Sequence, residues 1–314
     1  MTEAAPAARL DRVGLAAAGA TALAWGLVGT LVREIPALSP RELVAGRLAF
    51  ALAASVPMVV AARARREVAA AVRAPAAWVL AATLTAYYLV AVIAFRLAPV
   101  AEVALLIATA PLCTLGFRRL RGERTAAHER QGATIALAGV AVTLVPALRA
   151  GLRGGPGGTT PAHALGDVLA LGSAALSAGY ALTFRAAQRR AGAAGRAAPA
   201  PLGVAVLTFV VGCGALALHA GLARVPFVAG GALDGRGWAL LALFGVACTF
   251  VPTVGFATAS RRLSPVLASA SLLLVPVVSA VVAAAALGEV PSAWLAPGGA
   301  LVLAGILRML GVVG

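Results

Sequence analysis

Two ionisable residues stand inside runs that are otherwise apolar, and any chemistry would start there. Arg47 falls within the apolar window 43–62 and Glu102 within 98–117. Burying such a group costs about 2.5–3.5 kcal/mol on insertion scales, so each needs a partner, water or a ligand. At a rise of about 1.5 Å per residue, Arg47 lies about 10 Å from the Pro40 end of its helix and Glu102 about 5 Å from the Pro99 end. Both ends face the same side, so the spacing predicts that the two meet in the outer part of a central cavity. There they would contact a bound molecule, or form a proton-sensitive gate. The competing reading is a structural ion pair, or separate snorkelling to the interface.

Other side chains could line such a cavity. Trp25, Tyr87, Tyr88 and Tyr180 offer aromatic faces to apolar or cationic groups, although packing is the commoner role of an aromatic within a helix. Thr109, Ser177, Thr253 and Ser269 offer hydroxyls, which in Ala-rich helices also bond their own backbone. Pro57, Pro111, Pro252 and Pro276 each free a carbonyl, and Pro111 and Pro276 are the hinge candidates; a static kink is the alternative. His128, His163 and His219 are scattered over loops and a helix end, and the three cysteines lie singly in apolar runs. No zinc spacing, P-loop or nucleophile motif joins them, so no metal, cofactor or catalytic residue is expected.

These residues must be positioned by helices in lipid. Hydrophobic residues make up 61% and charged residues 12% of the chain, too few to cover a water-facing surface. Ten windows approach the roughly 20 apolar residues of a span: 13–32, 43–62, 76–95, 98–117, 131–148, 165–184, 202–222, 237–260, 264–287 and 291–307. The fold class is therefore all-α, a polytopic membrane protein of about ten helices. Arg9 and Arg12 before the first run resemble a signal peptide, but the run is longer than an h-region and reads as a retained helix. Ser39-Pro40-Arg41-Glu42 reads as an N-cap with a capping box, and Ser264-Pro265 as a similar start to the ninth span. The connections before the windows at Pro99 and Gly237 should be tight.

The net charge of +15 does not mark a nucleic-acid surface, because nearly every Arg flanks an apolar run. It sets orientation instead. With the N-terminus inside, the inner segments hold 18 Arg and the outer segments 7, with Arg47 in a span, which favours both termini in the cytoplasm of an inner membrane. The two halves repeat at a shift of 166: Arg96-Leu97 falls on Arg262-Leu263, Pro99-Val100 on Pro265-Val266, Gly122-Glu123 on Gly288-Glu289, Gly132 on Gly298 and Ala138-Gly139 on Ala304-Gly305. Residues 1–150 and 165–314 would be five-helix repeats joined by the loop 151–164. An odd number of spans forces the second repeat to enter upside down, an architecture of transporters. Gly132 and Gly139, like Gly298 and Gly305, put small residues on one helix face. Glu123 and Glu289 follow a Gly at a span junction and read as carboxylates serving a helix N-terminus.

With Ala24-Trp25-Gly26, Ala45-Gly46-Arg47-Leu48, Tyr87-Tyr88 with Phe95-Arg96, and Leu287-Gly288-Glu289 followed by Gly298 and Ala304-Gly305, the chain resembles the ten-helix EamA-type branch of the drug/metabolite transporter superfamily over about 10–310. It departs at Arg121-Gly122-Glu123, where the repeat would have Leu-Gly-Glu, and in lacking an aromatic opposite Trp25 near Ala178-Gly179-Tyr180. The resemblance implies export or exchange of small metabolites, often amino acids, without ATP hydrolysis. Expected partners are a small-molecule substrate and membrane lipid, with no nucleic acid and a homodimer left open. The alternative function is a membrane-embedded enzyme acting on a lipid or prenyl chain, against which the lack of a clustered His/Asp/Glu constellation counts.

Overall fold

The computed structural model describes residues 11–145, 160–195, 198–263, 267 and 270–312, with backbone alone at 62, 260 and 261. Among them helix is the only repetitive secondary structure. The helices are α1 Arg12–Gly26, α2 Val28–Glu34, α3 Pro40–Val60, α4 Ala62–Arg73, α5 Pro75–Leu97, α6 Val100–Ile107 and α7 Ala110–Leu120. They continue with α8 Ala127–Thr143, α9 Pro161–Ala193, α10 Pro201–Ala223, α11 Gly235–Gly245, α12 Val251–Arg262, α13 Leu274–Leu287 and α14 Leu295–Met309. Among the described residues seven helical stretches are long and apolar enough to cross a membrane, and Leu274–Leu287 and Leu295–Met309 are shorter apolar helices. Over the described residues each of the ten windows overlaps helix, and the protein is an all-α, multi-pass membrane protein.

The local signals explain the boundaries. Asp11 caps α1, accepting from the amides of Val13 and Gly14 at 3.0 and 3.1 Å. The capping box at α3 is formed: Ser39 Oγ accepts from the Glu42 amide, and the Glu42 carboxylate accepts from the Ser39 amide at 2.9 Å. Only two residues separate α5 from α6, whereas residues 224–234, including a turn of 3-10 helix at Gly230–Ala232, separate α10 from α11, so the tightness expected before Gly237 is not found. The start of the ninth span at Ser264-Pro265 lies outside the described residues, as does Ser269.

Three further elements depart from the window reading. A short helix, α4, fills what read as a loop: Ala64 and Ala71 are buried while Arg63 and Arg65 point outward. A hydropathy window misses such a helix because its Arg-rich face cancels its apolar one. The helix α9 has 33 residues, about 50 Å against a hydrocarbon core of about 30 Å, so it continues well beyond one face of the membrane. The eighth span is interrupted by a π-helical turn at Val246–Phe250.

Packing is inverted relative to a water-soluble domain. Arg47, Glu42, Glu102 and Asp167 are buried, while Leu23, Val60, Val168, Leu218, Leu222 and Val281 are exposed, as lipid as solvent requires. Lipid supplies little hydrophobic drive for helix association, so close backbone approach must. The pair α8–α14 shows how. A Cβ built on Gly139 would stand 2.6 Å from the Gly298 carbonyl oxygen, and one on Gly305 would stand 2.5 Å from that of Gly132. Gly132 thus faces Gly305 and Gly139 faces Gly298, so the two helices run antiparallel.

Candidate functional site

The sequence points to Arg47 and Glu102, and the structure places them in two separate constellations. Arg47 is 3% exposed. Its Nε donates to Thr249 Oγ1 at 2.8 Å, and its guanidinium carbon lies 4.3 Å from the ring centroids of both Tyr88 and Phe244. Two rings fix the plane of the guanidinium from either side, an arrangement that offsets part of the cost of its burial. Three spans meet here: α3 brings Arg47, α5 brings Tyr88, and the end of α11 with the π turn brings Phe244 and Thr249. The approach is close because Gly245 has no side chain; a Cβ there would stand 2.6 Å from the Arg47 carbonyl oxygen.

The π turn has a cause and a consequence. Pro252 cannot donate to the carbonyl four residues back, so the ladder is already broken at that level. The wider turn lets the Thr249 hydroxyl donate to the Phe244 carbonyl at 2.9 Å while its lone pair accepts from Arg47. Among the described residues Nε makes the only hydrogen bond of the guanidinium, which leaves the Nη nitrogens for another acceptor. A planar pair of N–H donors suits a carboxylate.

Glu102 is not the partner of Arg47, contrary to the sequence expectation. Its Oε2 lies 3.2 Å from His163 Nε2, and His163 Nε2 lies 3.7 Å from Asp167 Oδ2. The three functional groups fall within 4.8 Å of one another, a donor set that could hold a metal ion. Sequence inspection missed this because Glu102 and His163 are 61 residues apart and His163 read as a loop residue. Helix α9 in fact starts at Pro161, with Thr160 Oγ1 accepting from the His163 amide at 3.2 Å. The available signal was His163 and Asp167 at i, i+4 behind a Thr-Pro helix start.

The remaining candidates divide. Trp25 is half-buried and packs on Phe256 with centroids 5.8 Å apart. Tyr87 is half-buried and meets Tyr88 edge-on at 5.7 Å. Tyr180 stacks on Phe184 at 6.1 Å and packs against the buried cluster that includes Leu80, Val204 and Leu207. Thr109 donates to the Leu106 carbonyl and Thr253 to the Thr249 carbonyl, both at 2.6 Å, so both hydroxyls serve their own helix. Ser177 is half-buried on α9. Pro111 follows a break between α6 and α7 at Ala108–Thr109, and Pro276 follows a similar turn at Leu272–Leu273. Glu289 accepts from the Val100 amide at 2.9 Å, so it caps α6 across the molecule and not the helix that follows it. Glu123 pairs with Arg118 at 2.8 Å.

Ion pairs also join the two ends of the first and eighth spans. Asp11 meets Arg262 at 3.1 Å at one end, and Glu34 meets Arg236 at 2.5 Å at the other. Between them Thr21 lies against Gly255, and Trp25 against Phe256.

Residues 12–145 match the model of the EamA-like transporter family. No curated protein matches the chain. Among solved structures, one crystal structure, described only as that of a protein, superposes with a TM-score of 0.63 at 22% identity, covering 94% of this chain and 95% of that one. At that identity it shows the fold alone.

Proposed function

We propose that this chain, an EamA-like transporter over residues 12–145 and hence a membrane transporter of small molecules, is a secondary carrier that exports carboxylate-bearing metabolites, amino acids or related compounds, by alternating access. The observation that carries this reading is Arg47: a buried guanidinium clamped between Tyr88 and Phe244, oriented by Thr249, with its Nη donors left over. A cation in lipid that lacks a fixed counter-ion is costly, so a mobile carboxylate is the natural occupant. Counterflow of labelled amino acids in proteoliposomes tests it. Accumulation against unlabelled internal substrate supports a carrier; turnover of an added lipid without exchange would instead favour an enzyme.

Two five-helix repeats, residues 1–150 and 165–314 about the loop 151–164, would supply the moving halves. Supporting features are the antiparallel Gly132–Gly305 and Gly139–Gly298 contacts, which the shift of 166 exchanges with each other, and the left-handed φ of both Gly122 and Gly288, +77° and +64°. With an inner membrane and both termini cytoplasmic, reporter fusions after residue 155 should read as external, and fusions after residue 126 or at the C-terminus as cytoplasmic. A C-terminus found outside would remove the ten-span inverted arrangement.

In this topology the Asp11–Arg262 pair closes the inner end of the first and eighth spans and Glu34–Arg236 the outer end. Solvent-exposed pairs are weak, so each can open once per cycle while still biasing a two-state balance. Asp11→Asn should expose a Thr253→Cys probe in a cysteine-free background to impermeant thiol reagents from the inside, and Glu34→Gln from the outside. Equal labelling from one side in both variants would overturn the assignment. Amides of the first turn and then Arg262 hold the Asp11 carboxyl below its ordinary range. Its folded-state value being depressed, the contribution of the inner pair is present at neutral pH and is lost only as pH falls below the usual carboxylate range. Inside labelling of the wild type should therefore be flat from pH 6 to 8 with respect to this pair.

A further inference from the structure

We propose that Glu102, His163 and Asp167 form a binding site for a divalent transition-metal ion of the zinc type, which would clasp α6 to α9. The inference does not rest on the transport reading; it requires only the folded chain.

Three observations converge. The donor set is one imidazole nitrogen and two carboxylates from two helices, the mixture that zinc-type ions take. The spacing fits a metal better than an ammonium group. Ligands at about 2.0–2.2 Å from a tetrahedral ion stand about 3.3–3.6 Å apart. Acceptors around an ammonium at about 2.8 Å would stand about 4.6 Å apart. The observed separations from His163 Nε2 are 3.2 Å to Glu102 Oε2 and 3.7 Å to Asp167 Oδ2. The third observation is independent of the cluster's composition. Asp167 is 5% exposed, and among the described residues neither of its carboxylate oxygens has a hydrogen-bond partner. A buried carboxylate without a donor is a costly feature that an ion would resolve.

Charge and access agree with this. Two carboxylates and a neutral imidazole sum to −2, which a divalent ion neutralises in a medium where net charge is expensive. Among the described residues the other nearby charges are Arg33, which is engaged with the Ala98 carbonyl at 2.7 Å, and Glu289, which is bound to the Val100 amide. A cavity of about 150 Å³ lined by Glu102, His163, Thr143, Glu289 and Ser292 leads to the site. It leaves room for the fourth position to be taken by water or by a group on a ligand.

The test uses purified full-length protein in detergent, stripped with chelator, with Zn²⁺ and Co²⁺ as probes. The background is cysteine-free with His128 and His219 replaced by Ala, which removes the other soft ligands. Calorimetry should show one saturable Zn²⁺ per chain, not displaced by excess Mg²⁺, weakened roughly 100-fold or more in His163→Gln and in Asp167→Asn. Co²⁺ should give a visible ligand-field spectrum that is lost in the same variants. Zn²⁺ should raise the melting temperature of the parent and leave that of Asp167→Asn unchanged. Because Asp167→Asn removes an unpaired buried charge, its metal-free form should melt no lower than the parent, so loss of binding cannot be put down to misfolding. No saturable Zn²⁺ in the parent, or equal affinity in parent and both variants, overturns the proposal.

Discussion

Arg47→Lys is expected to insert and fold while losing roughly 10–100-fold of amino-acid counterflow. The charge survives the change, but the planar fork and the fit between Tyr88 and Phe244 do not. Losing one charge-assisted hydrogen bond costs about 1.5–3 kcal/mol, which is the stated range in rate or affinity. Arg47→Met separates binding from structure. Thr249 keeps its bond to the Phe244 carbonyl, so no hydroxyl is orphaned, and the thioether fills the slot between the rings. That variant should melt at or above the parent temperature, since a desolvated cation has been replaced by an apolar chain, and yet show no counterflow of carboxylate substrates. Transport at the parent rate in Arg47→Lys would mean that only the charge matters, and transport in Arg47→Met would remove Arg47 from the substrate path.

The contrast between Arg47 and Glu102 shows what a sequence can carry. The costs that make each conspicuous are local, because an ionisable group in an apolar window is expensive wherever the other spans lie. Depth is nearly local too, since helix rise fixes it. Azimuth is not. Which neighbour a side chain faces depends on how all the helices are arranged, and here that arrangement sends Arg47 toward Thr249 and Glu102 toward His163. The span windows, the capping box at Ser39 and Glu42 and the glycine faces were legible because each rests on a period or a short-range signal. The helix α4 was hidden by amphipathicity, and the π turn by the fact that it arises from Pro252 acting on a ladder several residues away. Tyr180 illustrates the limit for aromatics: its type is compatible with a pocket, and only the fold shows it stacked on Phe184 against a second buried cluster.

Replacing a helix glycine by alanine should have opposite signs at two positions of this protein. Helix propensity alone favours alanine by about 1 kcal/mol in a helix interior. At Gly179 on α9 nothing lies within 4 Å of the added methyl, so Gly179→Ala should gain that advantage and raise the melting temperature. At Gly139 the methyl would stand 2.6 Å from the Gly298 carbonyl oxygen and from the Val302 amide nitrogen, both backbone atoms that no rotamer change can move. The helices α8 and α14 must then part, and overpacking of this kind costs about 1–3 kcal/mol, more than the propensity returns. Gly139→Ala should therefore lower the melting temperature and broaden the size-exclusion peak. Gly298→Ala should do the same, because its methyl would press on Thr143 and on the Gly139 carbonyl. The double variant should be less harmful than the sum of the two, since a seam opened by the first methyl already admits the second. Thermal melts of the four variants in one detergent decide the matter. A shift of the same sign at Gly139 and Gly179 would mean that the α8–α14 seam is looser than the glycine contacts require, and with it would go the strongest physical link between the two halves of the chain.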